Sequence, residues 1–291
     1  MMNTYKINYE HLRQQPGMSA VLAALEKGFT KFGIDFYLIG AVARNVWMSG
    51  INRIIPRRMT ADIDFAVLIN DKGLYEQLKE YLINYEEFVL SKENAFVLIK
   101  DGIEVDLLPF GAIEDENSRV TVEGNGYTSI QVPGFKEVYA SGLPKLELTD
   151  GHSFKFSTLP GIVLLKLLAW DDRPEVRRDD VKDISDILNH FFYMYDHKIW
   201  DIHHDLLQDE NMNSTHVAAR VMGREMRLIV GQNQKENDQI LRACDQNDIW
   251  FHLDDVPSSH IVLKTSNHKI KDFNRQTLIH CAKLCKENSK Y

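Results

Sequence analysis

The stretch that decides the fold is TADIDFAVLI, residues 60–69. Apolar residues at 63, 65, 67 and 69 alternate with Asp62 and Asp64, and this period of two predicts a β-strand. Both carboxylates then lie on the same face of the strand, about 7 Å apart. Two acidic side chains on one strand face repel each other, and a divalent cation between them removes that repulsion. The stretch therefore predicts a strand that carries a metal-binding acidic pair.

A third acidic residue lies on the next predicted hairpin. Apolar runs at 95–99 and 103–108 flank Lys100-Asp101-Gly102, which predicts two strands joined by a tight turn. The second strand places Glu104 and Asp106 on one face. An Asp-x-Asp strand beside a strand with another Asp is the set of carboxylates needed to hold two Mg²⁺ ions during nucleotidyl transfer.

Upstream, a strand, a glycine and a helix follow one another. The short apolar strand 36–39 meets Gly40-Ala41, after which Val42, Val46 and Trp47 recur on one helix face. This arrangement presents backbone N–H groups to an anion. Neither the GxxxxGK[ST] nor the GxGxxG phosphate-binding motif occurs in the chain.

Downstream, two predicted helices carry charged residues among apolar ones. Lys166 lies within the apolar run 161–170, where it either extends to solvent from the helix edge or binds phosphate. In the next helix Asp179, Asp183 and Asp186 share one face, which is ordinarily a solvated stripe.

In this order, Gly40-Ala41, Asp62-x-Asp64 and Asp106 resemble the polymerase-β-type nucleotidyltransferase superfamily. The LIGAVAR glycine entry, the Thr-x-Asp-Ile-Asp strand and the distal Lys/Arg/Asp helix pair make residues 20–200 similar to the AbiEii-like nucleotidyltransferases, known as toxins of type IV toxin–antitoxin systems. The resemblance implies an α+β fold: a polymerase-β-type nucleotidyltransferase core, with a small mixed sheet flanked by helices and a helical extension.

The same resemblance implies roles for individual residues. Asp62, Asp64 and Asp106 are the expected ligands of Mg²⁺ or Mn²⁺, and these three with Lys166 and Asp183 are the expected catalytic residues. Contact with the NTP is expected from a further set of residues, namely Gly40, Ala41, Arg44 and Lys166. The chain departs from the superfamily in having Gly-Ala where Gly-Gly or Gly-Ser is usual, and in the long gap of 22 positions from Gly40 to Asp62.

The last part of the chain differs in composition. Residues 223–291 carry 11 basic and 9 acidic side chains, a balance of +2, whereas the other 222 residues have a balance of −10. Strands are predicted at 228–230, 248–253 and 261–263. A polar turn is predicted at 232–238, capping a helix through Leu241, and a closing helix is predicted at 277–284. The string Asp248-x-Trp250-Phe251-His252 with Ser259-His260 resembles the NFACT-R domain, an RNA-associated module. Trp250, His252 and His260 are the expected RNA contacts, because aromatic rings stack on unpaired bases.

Length and composition limit the remaining possibilities. At 291 residues the chain accommodates about two domains, which we place at 1–222, with a helical part from about 159, and at 223–291 as a small, partial α+β module. No apolar run approaches the ~20 residues of a membrane span, so no membrane partner is expected. Three cysteines without a CxxC motif favour reduced thiols and a cytoplasmic location.

These observations favour a Mg²⁺-dependent nucleotidyltransferase that moves NMP from an NTP onto RNA or tRNA, with a cognate antitoxin and the ribosome as further possible partners. One alternative is a non-enzymatic RNA- or ribosome-associated adaptor of the NFACT-R type. Transfer to a small molecule or to a protein hydroxyl also stays open.

Overall fold

The computed structural model describes residues 3–8, 17–55, 62–124, 126–208, 212–230, 249–251 and 261–263. It divides into two compact units, Met1–Ile229 and Val230–Tyr291. The predicted domain boundary at 222/223 stays a prediction.

The first unit is built on an eight-stranded mixed sheet. Its strands, in chain order, are β1 (Thr4–Ile7), β2 (Phe36–Ile39), β3 (Asp62–Leu68), β4 (Val89–Leu90), β5 (Val97–Lys100), β6 (Ile103–Phe110), β9 (Lys145–Leu148) and β10 (Ser153–Phe156). In the sheet they lie in the order β1-β9-β10-β2-β3-β6-β5-β4. A separate hairpin pairs β7 (Arg119–Gly124) with β8 (Gly126–Gln131).

Within the residues that the structure describes, eight α-helices accompany the sheet. They are α1 (Met18–Phe32), α2 (Gly40–Asn45), α3 (Lys72–Tyr85), α4 (Phe135–Ala140), α5 (Leu159–Asp172), α6 (Arg178–Met194), α7 (Asp196–Ile202) and α8 (Ser214–Val230). A π-helix, Val46–Ile51, continues α2, and a 3₁₀ helix, His204–Gln208, follows α7. The predicted α+β class, a mixed sheet flanked by helices, is confirmed.

The central strands alternate between two covered faces. Phe65 of β3 contacts Phe29 of α1, whereas Phe110 of β6 contacts Phe135 of α4. Odd-numbered residues of β3 therefore face α1, and even-numbered residues of β6 face α4, as a period of two requires. Buried apolar residues from both faces form one continuous core.

The acidic strand and hairpin agree with their predictions. β3 occupies 62–68 of the predicted stretch, and the turn between β5 and β6 has Asp101 and Gly102 at positive φ (52° and 78°), the geometry of a tight two-residue hairpin. β3 runs parallel to β6 and antiparallel to β2.

The second unit contains a two-stranded antiparallel sheet, β11 (Ile249–Phe251) with β12 (Ile261–Leu263). Both strands were expected from the sequence. The strand predicted at 228–230 is wrong, because these residues form the last turn of α8, whose buried face includes Ile229. The polar turn predicted at 232–238, the helix that it caps and the helix predicted at 277–284 lie outside the described residues.

Candidate active site

Strand register brings the predicted acidic residues together. In the parallel pair β3–β6, Asp62 lies opposite Glu104 and Asp64 lies opposite Asp106. Neighbouring strands are about 4.8 Å apart, so the Asp64 and Asp106 side chains project side by side from one face. The fold thus brings together three acidic residues that are up to 44 positions apart in the chain.

This proximity makes the ionised form of two carboxyls unfavourable. Burial, followed by the charges of Asp106 and Asp62, raises the pKa of Asp64 to about 8 against the opposing effect of Lys166 and Arg177. Burial, together with Asp62 and Glu104, raises the pKa of Asp106 to about 6. A pair of carboxyls held in this way needs positive charge in order to ionise fully at neutral pH.

Gly40 allows the chain to pass close to Asp64. Ile39 pairs with Asp64 across β2 and β3, so Gly40 follows immediately beside the carboxylate. Its φ is +67°, and a Cβ at this position would lie 1.9 Å from Oδ2 of Asp64. A glycine is therefore required here both by the backbone conformation and by the space left to the carboxylate.

Lys166 and the buried ion pairs that hold it form a second wall of the site, apart from the acidic strands β3 and β6. Nζ of Lys166 donates to Oδ1 of Asp180 at 2.7 Å and to Oδ2 of Asp183 at 2.9 Å. Asp183, 4% exposed, also accepts from Arg44. The interaction of Lys166 with two carboxylates shows that it is held in place from α6 and does not extend into solvent.

Arg44 lies behind this wall. It is 1% exposed, it pairs with Asp183, and its Nε and Nη2 donate to Oδ1 of Asn45 at 3.3 and 3.1 Å. The side chain predicted to contact the NTP is thus engaged inside the protein, and it acts by fixing α2 to α6.

A cavity of about 350 Å³ is lined both by the carboxylates of β3 and β6 and by Lys166. Its lining includes most of the predicted site residues, namely Gly40, Ala41, Asp62, Asp64, Asp106 and Lys166, but neither Arg44 nor Asp183. Apolar residues of α5 and polar residues of β8 also contribute to the lining. A volume in this range matches small-ligand sites.

The predicted site did not include several charged residues that line the cavity. Asp180 and Arg177 line it, and Asp180 belongs to the buried face of α6 together with Asp183 and Asp186. The face predicted from the sequence began instead at Asp179, which is exposed and pairs with Lys182. Counting three residues back from Asp183, instead of four, would have placed Asp180 on the same helix face.

The carboxylates have the chemistry of a metal site, although the described side chains are not arranged as one. Among the described residues, no three His, Cys, Asp or Glu side chains have the geometry to hold an ion. The oxygen ligands that Mg²⁺ prefers are nevertheless present in Asp62, Asp64 and Asp106, and the raised pKa values of the last two show the need for positive charge. The residues therefore fit a divalent cation in ligand type.

The predicted RNA-contact residues belong to the second unit. Trp250 lies on β11, where it pairs with Val262 of β12. His252 and His260 lie outside the described residues. Within the described part of the chain, every helix is too short or too polar to cross a lipid bilayer.

Comparison with known proteins identifies the C-terminal segment. Residues 215–291 match the family described as "NFACT protein RNA binding domain". Coiled-coil domain-containing protein 25 from Bos taurus is 35% identical over 63 residues, which are 21% of this chain and 30% of that protein. The chain thus spans less than a third of this curated relative.

The chain is also similar to solved structures of proteins that are not described as RNA-binding. One is the antibiotic-resistance factor ANT(2'')-Ia, 12% identical, with a TM-score of 0.32 over 79% of this chain and 91% of that one. A second is an antigenic nucleotidyltransferase-like protein from Paracoccidioides brasiliensis, 13% identical, with a TM-score of 0.35 over 81% and 94%. At these scores, the case for the site rests on the strand geometry described above. The comparisons confirm the resemblance to the NFACT-R domain, which covers residues 215–291.

Proposed function

We propose that the first unit is a metal-dependent nucleotidyltransferase that transfers NMP from an NTP to an acceptor hydroxyl. The observation that carries this proposal is the register of β3 and β6, which sets Asp64 beside Asp106 in a cavity that Gly40 and Lys166 also line. Carboxylates, a glycine at a strand–helix junction and a fixed cation are the groups that phosphoryl transfer needs.

Each residue has a part in this reaction. Asp62, Asp64 and Asp106 would hold Mg²⁺ or Mn²⁺, which when bound promotes ionisation of the acceptor hydroxyl and neutralises charge on the pyrophosphate. Asp106 would accept the proton of that hydroxyl. Gly40 and Lys166 bind the triphosphate, the first with its backbone and the second with its ammonium group.

Arg44 and Asp183 act as positioning residues. Asp183 holds Lys166 at the cavity wall, and Arg44 neutralises Asp183 from behind. Loss of either would displace Lys166 or leave a buried charge without its partner. Their effect on transfer therefore passes through Lys166.

RNA is the acceptor that we propose, with tRNA or ribosomal RNA as the first candidates. Support comes from the C-terminal match to an RNA-binding family, since a tethered RNA-binding module raises the local concentration of RNA at the first unit. A toxin-like role with a cognate antitoxin, in the cytoplasm, belongs to the same proposal. It draws on the sequence resemblance alone.

Label transfer tests the proposal. The full chain is incubated with each of the four α-labelled NTPs, Mg²⁺ and total RNA or purified tRNA. We expect label on RNA from the wild type, a loss of at least about 100-fold in Asp64→Asn, and normal transfer in Asp101→Asn, a matched change at the exposed β5–β6 turn. Label found instead in a small-molecule or protein fraction would show that the acceptor is not RNA. No transfer at all would refute the proposed nucleotidyltransferase activity.

The second candidate function is an RNA- or ribosome-associated adaptor without catalysis. The family match favours it, because that match is to a binding domain. It predicts salt-dependent RNA binding that Trp250→Ala weakens and Asp62→Ala leaves unchanged, measured by filter binding. Absence of RNA binding would refute the adaptor.

A further inference from the structure

A second group of reactive side chains lies apart from the cavity, on α1 and the β9–β10 hairpin. Oγ of Ser19 is 3.0 Å from Nε2 of His152, and Nδ1 of His152 is 2.7 Å from Oε2 of Glu26. None of the three lines the cavity described above. A hydroxyl, an imidazole and a carboxylate joined in this order are the parts of an activated nucleophile.

The group is held from two sides. Ser19 and Glu26 are seven residues apart on α1, two helical turns, so they lie on one face of the helix. The second oxygen of Glu26 accepts the backbone N–H of Ser153 at 3.0 Å, which fixes the carboxylate to the hairpin that carries His152. The imidazole is thereby oriented with one nitrogen toward Glu26 and the other toward Ser19.

The neighbouring carboxylate of Asp150 does not take the place of Ser19 as the hydrogen-bond partner of His152. The carboxylate of Asp150 is 3.9 Å from Nε2 of His152, which is beyond hydrogen-bond distance. The His152 side chain is 11% exposed and that of Glu26 is 30% exposed, and Ser19 is half-buried. The base is thus largely shielded from water, while the nucleophile is partly exposed.

We infer that Ser19, His152 and Glu26 form a nucleophilic triad that takes an acyl group from small activated esters. Oγ of Ser19 attacks the ester carbonyl and its proton passes to Nε2 of His152. The new Oγ–C bond forms, the C–O bond to the alcohol breaks, and the alcohol leaves with the proton from Nε2. Water then attacks the acyl-serine with the same base, which releases the carboxylic acid and restores Ser19.

A fluorophosphonate probe tests the triad in the full chain. The probe forms an Oγ–P bond and releases HF, and peptide mass spectrometry locates the label. We expect label on Ser19 at a rate about 100-fold or more above that on Ser214, an exposed serine at the start of α8. His152→Gln and Glu26→Gln should lower labelling of Ser19, whereas His197→Gln, at a fully exposed histidine, should leave it unchanged.

Two further readouts separate catalysis from a structural role. In the wild type, the labelling rate of Ser19 should depend on pH in a way that His152→Gln abolishes, which a hydrogen bond serving only to hold the hairpin would not produce. Asp64→Asn should retain labelling, and Ser19→Ala should retain nucleotidyl transfer. Absence of label on Ser19, label no faster than on Ser214, or a rate that is independent of pH would overturn the inference.

Discussion

Replacing Asp64 by asparagine should stabilise the metal-free protein at neutral pH. The folded chain holds the carboxyl proton of Asp64 more tightly than the unfolded chain does, because burial and the neighbouring acids raise its pKa from 3.8 to about 8. The folded state therefore binds more protons, and stability falls as pH rises from about 4 to about 8. Asparagine keeps the shape of the side chain and removes the charge.

The size of this effect follows from the two pKa values. Each pH unit between them corresponds to about 1.4 kcal/mol, which gives on the order of 4 kcal/mol at pH 7 as an upper limit. Asp62 and Asp106 share the repulsion, so part of it is relieved when either of them takes the proton instead. In a unit of this size, 1 kcal/mol moves the melting temperature by about 2–4 °C.

Thermal unfolding at pH 5, 6, 7 and 8, in chelator and then in Mg²⁺, measures the prediction. Asp64→Asn should melt well above the wild type at pH 8 in chelator, and the difference should shrink as the pH is lowered to 5. Mg²⁺ should raise the wild-type melting temperature at pH 8 and leave the variant unchanged. Asp101→Asn, at the exposed hairpin turn, is the matched control. Equal pH slopes in wild type and Asp64→Asn would refute the reasoning.

Three other changes follow from the described contacts. Gly40→Ala should abolish transfer, because its Cβ would lie 1.9 Å from a carboxylate oxygen of the β3 pair; normal activity in the labelling assay would contradict this. Arg44→Met should cost about 3–5 kcal/mol in denaturant unfolding, since it leaves the buried charge of Asp183 short of a partner. Arg224 holds the pKa of Asp205 at about 2 through a side-chain hydrogen bond, so this pair stabilises the protein above about pH 4 and ceases to do so as pH falls through 2. In Arg224→Gln, NMR titration should return that pKa toward 3.8, and an unchanged value would exclude the hydrogen bond as its cause.

The acidic strand could be predicted from sequence because its signal is local. Alternation over 62–69 specifies both the strand and the face that its carboxylates occupy, and the turn residues Asp101 and Gly102 specify the hairpin that carries Asp106. What the pattern does not contain is the partner of each strand. The parallel pairing of β3 with β6, which sets Asp64 opposite Asp106, is a tertiary contact.

The helical wall shows where local reasoning fails. Asp179 and Asp180 are adjacent and chemically identical, and only the packing of α6 against α5 decides that Asp180 faces Lys166. Arg44 could be assigned to the nucleotide from its place beside Gly40, yet Asp183, 139 residues away, holds it inside the protein. The strand predicted at 228–230 failed because three apolar residues at a helix end resemble a short strand.

Mn²⁺ binding measured by electron paramagnetic resonance tests the central claim most directly. The full chain is titrated with Mn²⁺ in the presence of a non-hydrolysable NTP analogue, and free Mn²⁺ is read from the solution signal. Wild type and Asp101→Asn should take up Mn²⁺ together with the nucleotide, and Asp64→Asn and Asp106→Asn should lose that uptake. Uptake that survives both changes at the β3–β6 pair would contradict the proposed active site.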